Sequence, residues 1–201
     1  MRIGIYGGSF NPIHKGHTGL ARWIVEQGLV DGVWMLVSPQ NPLKTGRQLM
    51  DDELRLRLAK LAVEEEERLA YGCSRGRIRV SDFEFQLPRP SFTVDTLAAL
   101  KRTYPEHEFV LIIGADNWLA FPKWHKGDEI LASCNLIIYP RPGYNVDKKS
   151  LPSGVRLVQP PLFDISSTEI RKQIATNPSY SGEGLAASVW REILTVQEGM
   201  L

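Results

Sequence analysis

Two histidines stand three residues apart, directly behind a pair of glycines, in the stretch 7–17, which reads GGSFNPIHKGH. The stretch follows the apolar run 3–6 and precedes an amphipathic segment, an order that predicts a strand, a glycine-rich turn and a helix beginning near Gly16. Backbone amides at the start of a helix bind anions. Residues three apart face the same side of a helix. We therefore expect an anion site that His14 and His17 both face.

The glycine-rich turn that carries these histidines matches neither of the two common phosphate-binding loop motifs. Neither GxxxxGK followed by Ser or Thr nor GxGxxG occurs in the chain, which argues against a P-loop hydrolase. A nearby triphosphate would favour the protonated form of imidazole, whose pKa is ordinarily about 6.5. Such a donor stabilises charge on phosphoryl oxygens without forming a covalent bond. A capping or surface role would explain His14 or His17 alone, but it explains the pair less well.

A second candidate for anion binding lies near the C-terminus, where residues 165–174 read ISSTEIRKQI. Hydroxyl residues at its start and apolar residues four apart predict a helix. Its hydroxyls and first-turn amides can donate to an anion, and an arginine one turn later can fork onto phosphate oxygens. Capping explains one hydroxyl well, three less well and the arginine not at all. The residues concerned are Ser166, Ser167, Thr168 and Arg171.

The rest of the chain alternates strands with helices. Strands are predicted at 33–38, 77–85, 109–113, 136–139 and 155–158, helices at 51–67, 93–102 and 185–196, and a loop with a short aromatic-rich helix between 114 and 124. This order predicts an α/β fold, a doubly wound parallel sheet with a small C-terminal helical part, in a single domain over residues 1–201. The link 39–46 would place Lys44 just past the second strand, where open sheets bind ligands. The acidic run 64–67 is expected to be a solvated helix face.

Composition limits the classes of function. With 201 residues, of which 43% are hydrophobic, the chain can bury one sizeable core. It has 24 Lys and Arg against 23 Asp and Glu, so it lacks the positive field that favours nucleic acid, and we expect no nucleic-acid partner. The two cysteines, Cys73 and Cys134, have no metal or disulfide spacing, so we expect free thiols in a reducing compartment. We find no signal-like or membrane-length apolar segment, and we expect a cytoplasmic protein without a membrane partner.

The two anion-binding stretches together resemble the nucleotidyltransferase superfamily marked by a (His/Thr)-x-Gly-His motif and an Ile-Ser-Ser-Thr-x-x-Arg motif, which occur here in the right order. The resemblance implies a Rossmann-like sheet and attack on the α-phosphorus of a nucleoside triphosphate, with release of pyrophosphate. It implies catalytic roles for His14, His17 and Arg171, the histidines polarising the triphosphate and the arginine gripping its β- and γ-phosphates. The implied ATP-binding residues are Gly7, Gly8, Ser9, Phe10, Lys44, Gly114, Asp116, Ser166, Ser167 and Thr168.

Three further stretches resemble the bacterial nicotinate-mononucleotide adenylyltransferases of NAD biosynthesis: PLK at 42–44, RPSFTVDTL at 89–97, and GADNW from residue 114 with a tryptophan ten residues later. The resemblance implies that ATP adenylylates nicotinate mononucleotide to give nicotinate adenine dinucleotide. An indole offers a flat surface to an electron-poor ring, and backbone amides can receive a carboxylate. The implied mononucleotide-binding residues are Phe92, Thr93, Asp95, Trp118 and Trp124.

The sequence leaves the acceptor and the assembly open. A related adenylyltransferase acting on nicotinamide mononucleotide or phosphopantetheine would carry the same end motifs, and a noncatalytic module that senses adenine nucleotides would share the ATP site. No carboxylate cluster has metal-binding spacing, so Mg²⁺ is expected to be bound mainly through the ATP phosphates and water. Residues 181–194, SGEGLAASVWREIL, depart from the Arg-aromatic-Leu-Val-Pro stretch of many relatives, which leaves a homo-oligomer interface open.

Overall fold

The computed structural model describes residues 1–39, 49–69, 76–161 and 163–198, so that Lys44 and Cys73 lie outside the described residues. The strands are β1 (Arg2–Gly8), β2 (Gly32–Val37), β3 (Ile78–Ser81), β4 (Glu108–Gly114), β5 (Asn135–Tyr139) and β6 (Val155–Leu157). The helices are α1 (Lys15–Glu26), α2 (Asp52–Leu69), α3 (Thr93–Thr103), α4 (Ala115–Ala120), α5 (Gly127–Ser133), α6 (Ser167–Thr176) and α7 (Ala187–Glu198). Within the described ranges, no helix combines the length and the apolarity needed to cross a membrane.

All six strands form one parallel sheet in the order β3-β2-β1-β4-β5-β6. The chain runs outward from β1 to β3 and then crosses back, placing β4 on the other side of β1. This reversal leaves a crevice at the carboxyl ends of β1 and β4, where open α/β sheets bind ligands. Two glycines, Gly7 and Gly8, end β1, and Gly114 ends β4. The predicted doubly wound, Rossmann-like sheet is confirmed.

Helices cover both faces of the sheet, and each face has its own apolar core. On one face, α1, α2, α6 and α7 contribute residues such as Ile24 and Leu58. On the other face, α3, α4 and α5 contribute residues such as Leu100 and Ile130. The central strands are therefore buried on both sides, which explains why they read as nearly continuous apolar runs.

Three local predictions differ from the structure. Strand β3 ends at Ser81, and Phe83–Gln86 form a 3-10 turn, because the side chain of Glu84 turns inward and breaks the alternation. The loop predicted after β4 is absent, since α4 begins at the next residue, Ala115. Helix α5 was not predicted, because its seven residues bury only Ile130 and are too short to show an apolar period.

The acidic run 64–67 is a solvated face only in part, because Glu64 is exposed whereas the next two carboxylates contact other helices. Glu65 accepts hydrogen bonds from the first two backbone N–H groups of α7, at 2.9 and 2.8 Å. Glu66 accepts from Arg22 of α1 at 2.5 Å. The run therefore fixes the C-terminal helix against α2 and ties α2 to the helix that begins at the glycine-rich turn.

Candidate active site

The turn after β1 has open space on one side and tight packing on the other. A Cβ atom added at Gly7 would meet no atom within 4 Å, whereas one at Gly8 would lie 3.0 Å from the ring of Phe10. Phe10 has a φ of 42°, in the left-handed region that bulky residues rarely adopt. Its buried ring meets Tyr6 and His17 edge-on, with centroids 5.7 and 5.1 Å away. These contacts hold the strained turn in place.

His14 and His17 lie together at the start of α1. His14 is the N-cap residue, and the two imidazole rings stack with centroids 3.6 Å apart. The backbone N–H of His14 donates to Nδ1 of His17 at 3.2 Å. Because Nδ1 accepts, Nε2 carries the proton when the His17 ring is neutral. The first turn of α1 thus determines which nitrogen of His17 can donate to a ligand.

Burial keeps the His14 ring neutral near pH 7. Burial and, to a lesser extent, the positive charge of Arg141 lower the pKa of His14 from 6.5 to about 3. Its Nδ1 atom is buried without a hydrogen-bond partner among the described residues. An anion entering beside the ring would bring a charge of the opposite sign and act against this shift.

The second motif packs against the loop between β1 and α1, from the far end of the chain. Oγ of Ser167 donates to the carbonyl oxygen of Pro12 at 3.0 Å. Nη1 of Arg171 donates to the carbonyl oxygen of Asn11 at 2.6 Å. Both predicted anion-binding stretches therefore lie at the same edge of the sheet, with the start of α6 beside the start of α1.

The hydroxyls of this motif also make contacts within α6. Ser166 is the N-cap residue and accepts from the backbone N–H of Glu169 at 3.2 Å. Oγ1 of Thr168 accepts from Nη2 of Arg171 at 3.2 Å. Capping, the simpler explanation weighed for this motif, therefore accounts for one hydroxyl, and the arginine orders the other end of the first turn.

A cavity of about 420 Å³ opens beside the histidines, and we call it the histidine cavity. The start of α1, the end of β5 and the N-cap of α6 converge on it. It combines helix N-termini with imidazole and guanidinium groups, a donor set suited to a polyphosphate. Its lining includes Tyr6, His14, Gly16, His17, Tyr139, Arg141, Phe163, Asp164 and Ser166.

A second cavity, of about 310 Å³, lies between the ends of β1 and β4 and the start of α3, and we call it the tryptophan cavity. Nε1 of Trp124 and Oγ of Ser91 are buried in its wall without hydrogen-bond partners among the described residues. A flat aromatic wall with unsatisfied donors suits a planar polar ring. The lining includes Tyr6, Gly7, Gly8, Glu84, Ser91, Phe92, Thr93, Gly114, Trp124, His125 and Tyr139.

The tryptophan cavity contains a buried carboxyl group, that of Glu84. Burial raises its pKa, and hydroxyl donors on Ser38 and Thr96 act in the opposite direction. The Thr96 hydroxyl donates to Oε1 at 3.1 Å. Glu84 therefore joins the end of β2 to the first turn of α3 across one side of the cavity.

Two predicted mononucleotide-binding residues lie away from the tryptophan cavity. Asp95 is exposed in the first turn of α3, where a carboxylate stabilises the helix N-terminus. Trp118 stacks on Phe121 with ring centroids 5.4 Å apart and packs against the core. By contrast, His125, which belongs to none of the sequence motifs, is exposed at the rim of the cavity, lines it and has its ring 4.6 Å from that of Phe92.

Five of the predicted ATP-binding residues that the structure describes line neither cavity: Ser9, Phe10, Asp116, Ser167 and Thr168. The Ser9 carbonyl oxygen accepts from Arg55, and the Phe10 side chain is buried in the core, so both residues shape the turn. Oδ1 of Asp116 is buried and lies 3.8 Å from Nε of Arg141, which lines the histidine cavity.

Sequence reasoning missed two arginines. Arg55 is wholly buried and donates to the carbonyl oxygens of Ser9 at 2.6 Å and Ser38 at 2.9 Å, joining the glycine-rich turn to the end of β2. A signal was present, because Arg55 falls on the apolar stripe of α2, three residues before Leu58. Arg141 lies two residues past the end of β5, and a cation just past a strand of a parallel sheet is a ligand candidate on that ground alone.

Residues 5–173 match the cytidylyltransferase-like family. A probable nicotinate-nucleotide adenylyltransferase from Bacteroides thetaiotaomicron is 51% identical over 174 residues, covering 87% of this chain and 82% of the relative. Another, from Flavobacterium psychrophilum, is 38% identical over 195 residues and covers 96% of each chain.

Solved structures show the same fold. The Plasmodium falciparum nicotinic acid mononucleotide adenylyltransferase complexed with NaAD superimposes with a TM-score of 0.77 at 20% identity, covering 98% of this chain and 96% of that one. A putative nicotinate-nucleotide adenylyltransferase from Vibrio parahaemolyticus superimposes with a TM-score of 0.67 at 21% identity, covering 96% of this chain and 98% of the other. At such identities the likeness concerns the fold alone.

Proposed function

The chain belongs to the cytidylyltransferase-like family, and we propose that it transfers the adenylyl group of ATP to nicotinate mononucleotide. The products are nicotinate adenine dinucleotide and pyrophosphate, and the reaction is a step of NAD biosynthesis. Relatives named for this activity match the chain along most of its length, which supports the choice of acceptor.

The observation that carries the proposal is the meeting of two unlike cavities at one crevice. The histidine cavity offers imidazole and guanidinium donors and two helix N-termini, whereas the tryptophan cavity offers an indole wall and the first turn of α3. Both linings contain Tyr6 and Tyr139. A triphosphate in one cavity and a planar-ring mononucleotide in the other would therefore bring their phosphates together at this boundary.

The transfer needs no general base, because the attacking oxygen belongs to an ionised phosphate. That oxygen forms a bond to the α-phosphorus of ATP, while the bond from this phosphorus to the bridging oxygen breaks and its electron pair leaves with pyrophosphate. The protein has to position the two phosphates and stabilise the charge that moves onto the leaving group. We assign this charge stabilisation to His14, to Nε2 of His17 and to Arg171.

Each substrate has its own set of proposed contacts. In the histidine cavity, the amides at the starts of α1 and α6 and the Ser166 hydroxyl bind the triphosphate. In the tryptophan cavity, Trp124 packs on the pyridine ring and amides beside Phe92 and Thr93 receive its carboxylate. Lys44 stays a prediction for ATP. Since both cavities are built on one sheet, we propose that residues 1–201 act as a single domain.

Mg²⁺ is the proposed cofactor, bound mainly through the ATP phosphates. This ion keeps several waters and typically takes one or two carboxylates besides phosphate oxygens. The side chain of Asp164 lines the histidine cavity and fits that role. When bound, the ion neutralises part of the triphosphate charge.

A single assay with several acceptors tests the function. The protein is incubated with ATP, Mg²⁺ and either nicotinate mononucleotide, nicotinamide mononucleotide or phosphopantetheine, and dinucleotide and pyrophosphate are quantified. We expect equimolar nicotinate adenine dinucleotide and pyrophosphate, with kcat/KM highest for nicotinate mononucleotide. Preference for another acceptor would replace the assigned substrate, and ATP binding without turnover for every acceptor would make the protein a nucleotide sensor.

A further inference from the structure

Two tyrosines form the boundary between the cavities. Among the described residues, Tyr6 and Tyr139 are the two that line both the histidine cavity and the tryptophan cavity. Tyr6 belongs to β1 and Tyr139 ends β5, with β4 between them. Gly114 of β4 pairs with Tyr139, and a Cβ atom at Gly114 would clash with Oδ1 of Asp116 and lie 3.2 Å from Nε of Arg141. The two tyrosines, whose hydroxyls are hydrogen-bonded to each other, therefore lie where the two cavities adjoin, beside the Arg141 guanidinium.

The hydrogen bonds of Tyr139 leave its own proton available. Its hydroxyl oxygen accepts from Nη2 of Arg141 at 3.1 Å and from the hydroxyl of Tyr6 at 3.4 Å. Burial and, next, the neighbouring Tyr139 raise the pKa of Tyr6, so Tyr6 remains a protonated donor. A phenolic oxygen has two lone pairs and one proton. With both lone pairs engaged, the Tyr139 proton can only be donated to a further group.

Beside Tyr139, one donor of the Arg141 guanidinium is left for an anion to accept from. The guanidinium of Arg141 lies over the Tyr139 ring, 5.2 Å from its centroid. Nε of Arg141 is buried without a hydrogen-bond partner among the described residues, and it lies 3.8 Å from Oδ1 of Asp116, with which it forms an ion pair. A phosphate oxygen could accept from this N–H group, which points to an anionic guest on the guanidinium side of the pair.

We propose that Tyr139 is a further catalytic residue, whose hydroxyl donates a hydrogen bond to the phosphate of the acceptor mononucleotide at the boundary between the cavities. Arg141 and Tyr6 polarise this hydroxyl, which strengthens its bond to an anion. The proton stays on the tyrosine throughout the transfer. The proposal deepens the proposed function and rests on it, because its ligand is the phosphate of that acceptor.

The test compares Tyr139→Phe with Tyr144→Phe, an exposed tyrosine outside both cavities. Tyr139→Phe should weaken calorimetric binding of nicotinate mononucleotide about tenfold and lower kcat/KM for it at least as much, since one hydrogen bond to a charged group is lost. Binding of nicotinate riboside, which lacks the phosphate, should not change. Tyr144→Phe should match the unsubstituted protein in all three measurements.

The ratio of mononucleotide to riboside affinity is taken within each variant, so a loss of folded protein cannot imitate the effect. The proposal is overturned if the ratio in Tyr139→Phe equals the ratio in the unsubstituted protein. If that happens because both affinities fall by the same factor, the role of Tyr139 is purely structural. Failure of the proposed function looks different, because the unsubstituted protein would then neither bind nicotinate mononucleotide nor form the dinucleotide.

Discussion

The imidazole rings of His14 and His17 stack with centroids 3.6 Å apart, and the backbone N–H of His14 donates to Nδ1 of His17. The N-cap of α1 and the third residue of the helix are thereby joined in one unit. The same contact that stabilises the helix start makes Nε2 the donor atom of His17. Local helix geometry and the chemistry of charge stabilisation are therefore coupled at this position.

Replacing His17 by Ala should abolish most of the turnover. We expect kcat to fall by about 10²–10³-fold, the usual loss when one preorganised donor to a developing charge is removed. The thermal unfolding temperature should change little by comparison. His107→Gln, beyond the opposite end of β4 from the cavities, is the control and should retain its kcat. Near-normal turnover of His17→Ala would remove the residue from the catalytic set.

The buried, neutral His14 should make stability fall in mild acid. Its pKa is about 3 in the folded chain and 6.5 otherwise, so below pH 6.5 the unfolded chain binds a proton that the folded chain excludes. The free energy of unfolding contributed by this group is intact above pH 6.5 and declines by about 1.4 kcal/mol per pH unit toward pH 3. Urea unfolding at pH 7 and pH 5 measures the loss, and His14→Asn should show a smaller loss than the unsubstituted protein. Equal losses in both proteins would contradict the assignment.

Substitutions at the two adjacent glycines of the turn should have different effects, one on substrate binding and the other on stability. A side chain at Gly7 meets no protein atom within 4 Å and would project into the tryptophan cavity, so Gly7→Val should fold normally and raise KM for nicotinate mononucleotide about tenfold. A Cβ at Gly8 would lie 3.0 Å from the Phe10 ring, so Gly8→Ala should lower the unfolding temperature. Calorimetry measures the unfolding temperature of both variants, and steady-state kinetics measure their KM. An unstable Gly7→Val together with a stable Gly8→Ala of raised KM would show that the turn is oriented differently.

Two tryptophans of similar sequence context should separate binding from stability. Trp124→Ala should weaken nicotinate mononucleotide binding about tenfold, because the indole wall of the cavity is lost. Trp118→Ala should lower the unfolding temperature and leave KM nearly unchanged, since its ring packs on Phe121. Unchanged affinity in Trp124→Ala would place the pyridine ring elsewhere.

Glu65 of α2 caps the start of α7, and this cap should affect the stability of the protein but not its catalysis. Glu65→Ala removes the acceptor of two backbone N–H groups and should lower the free energy of unfolding by about 1 kcal/mol. The exposed neighbour Glu64 is the matched control, and Glu64→Ala should have little effect. Chemical unfolding of both variants measures the difference, while kcat/KM should be the same in each. If the two variants unfold alike, the cap makes no net contribution.

Much of the site could be predicted because its parts are local. A glycine pair after an apolar strand, histidines three apart and hydroxyls before an apolar period each act on near neighbours, and the structure has a turn and two helix starts at these positions. Trp118 and Trp124 show what could not be predicted from the sequence. Both lie in one short aromatic-rich stretch, and the direction in which each ring points depends on how α4 and the following 3-10 turn pack on Phe121.

The sequence by itself determined the parallel α/β sheet, the glycine-rich turn and the two helix N-termini, since periodicity and capping depend on residues within a few positions of each other. The tertiary structure alone decided which distant groups meet. Arg55 holds the turn from the middle of α2, and Tyr6 contacts Tyr139 across 133 residues of sequence. The contact between the two tyrosines follows from strand order, because the crossover that places β4 beside β1 also brings the end of β5 to the same crevice.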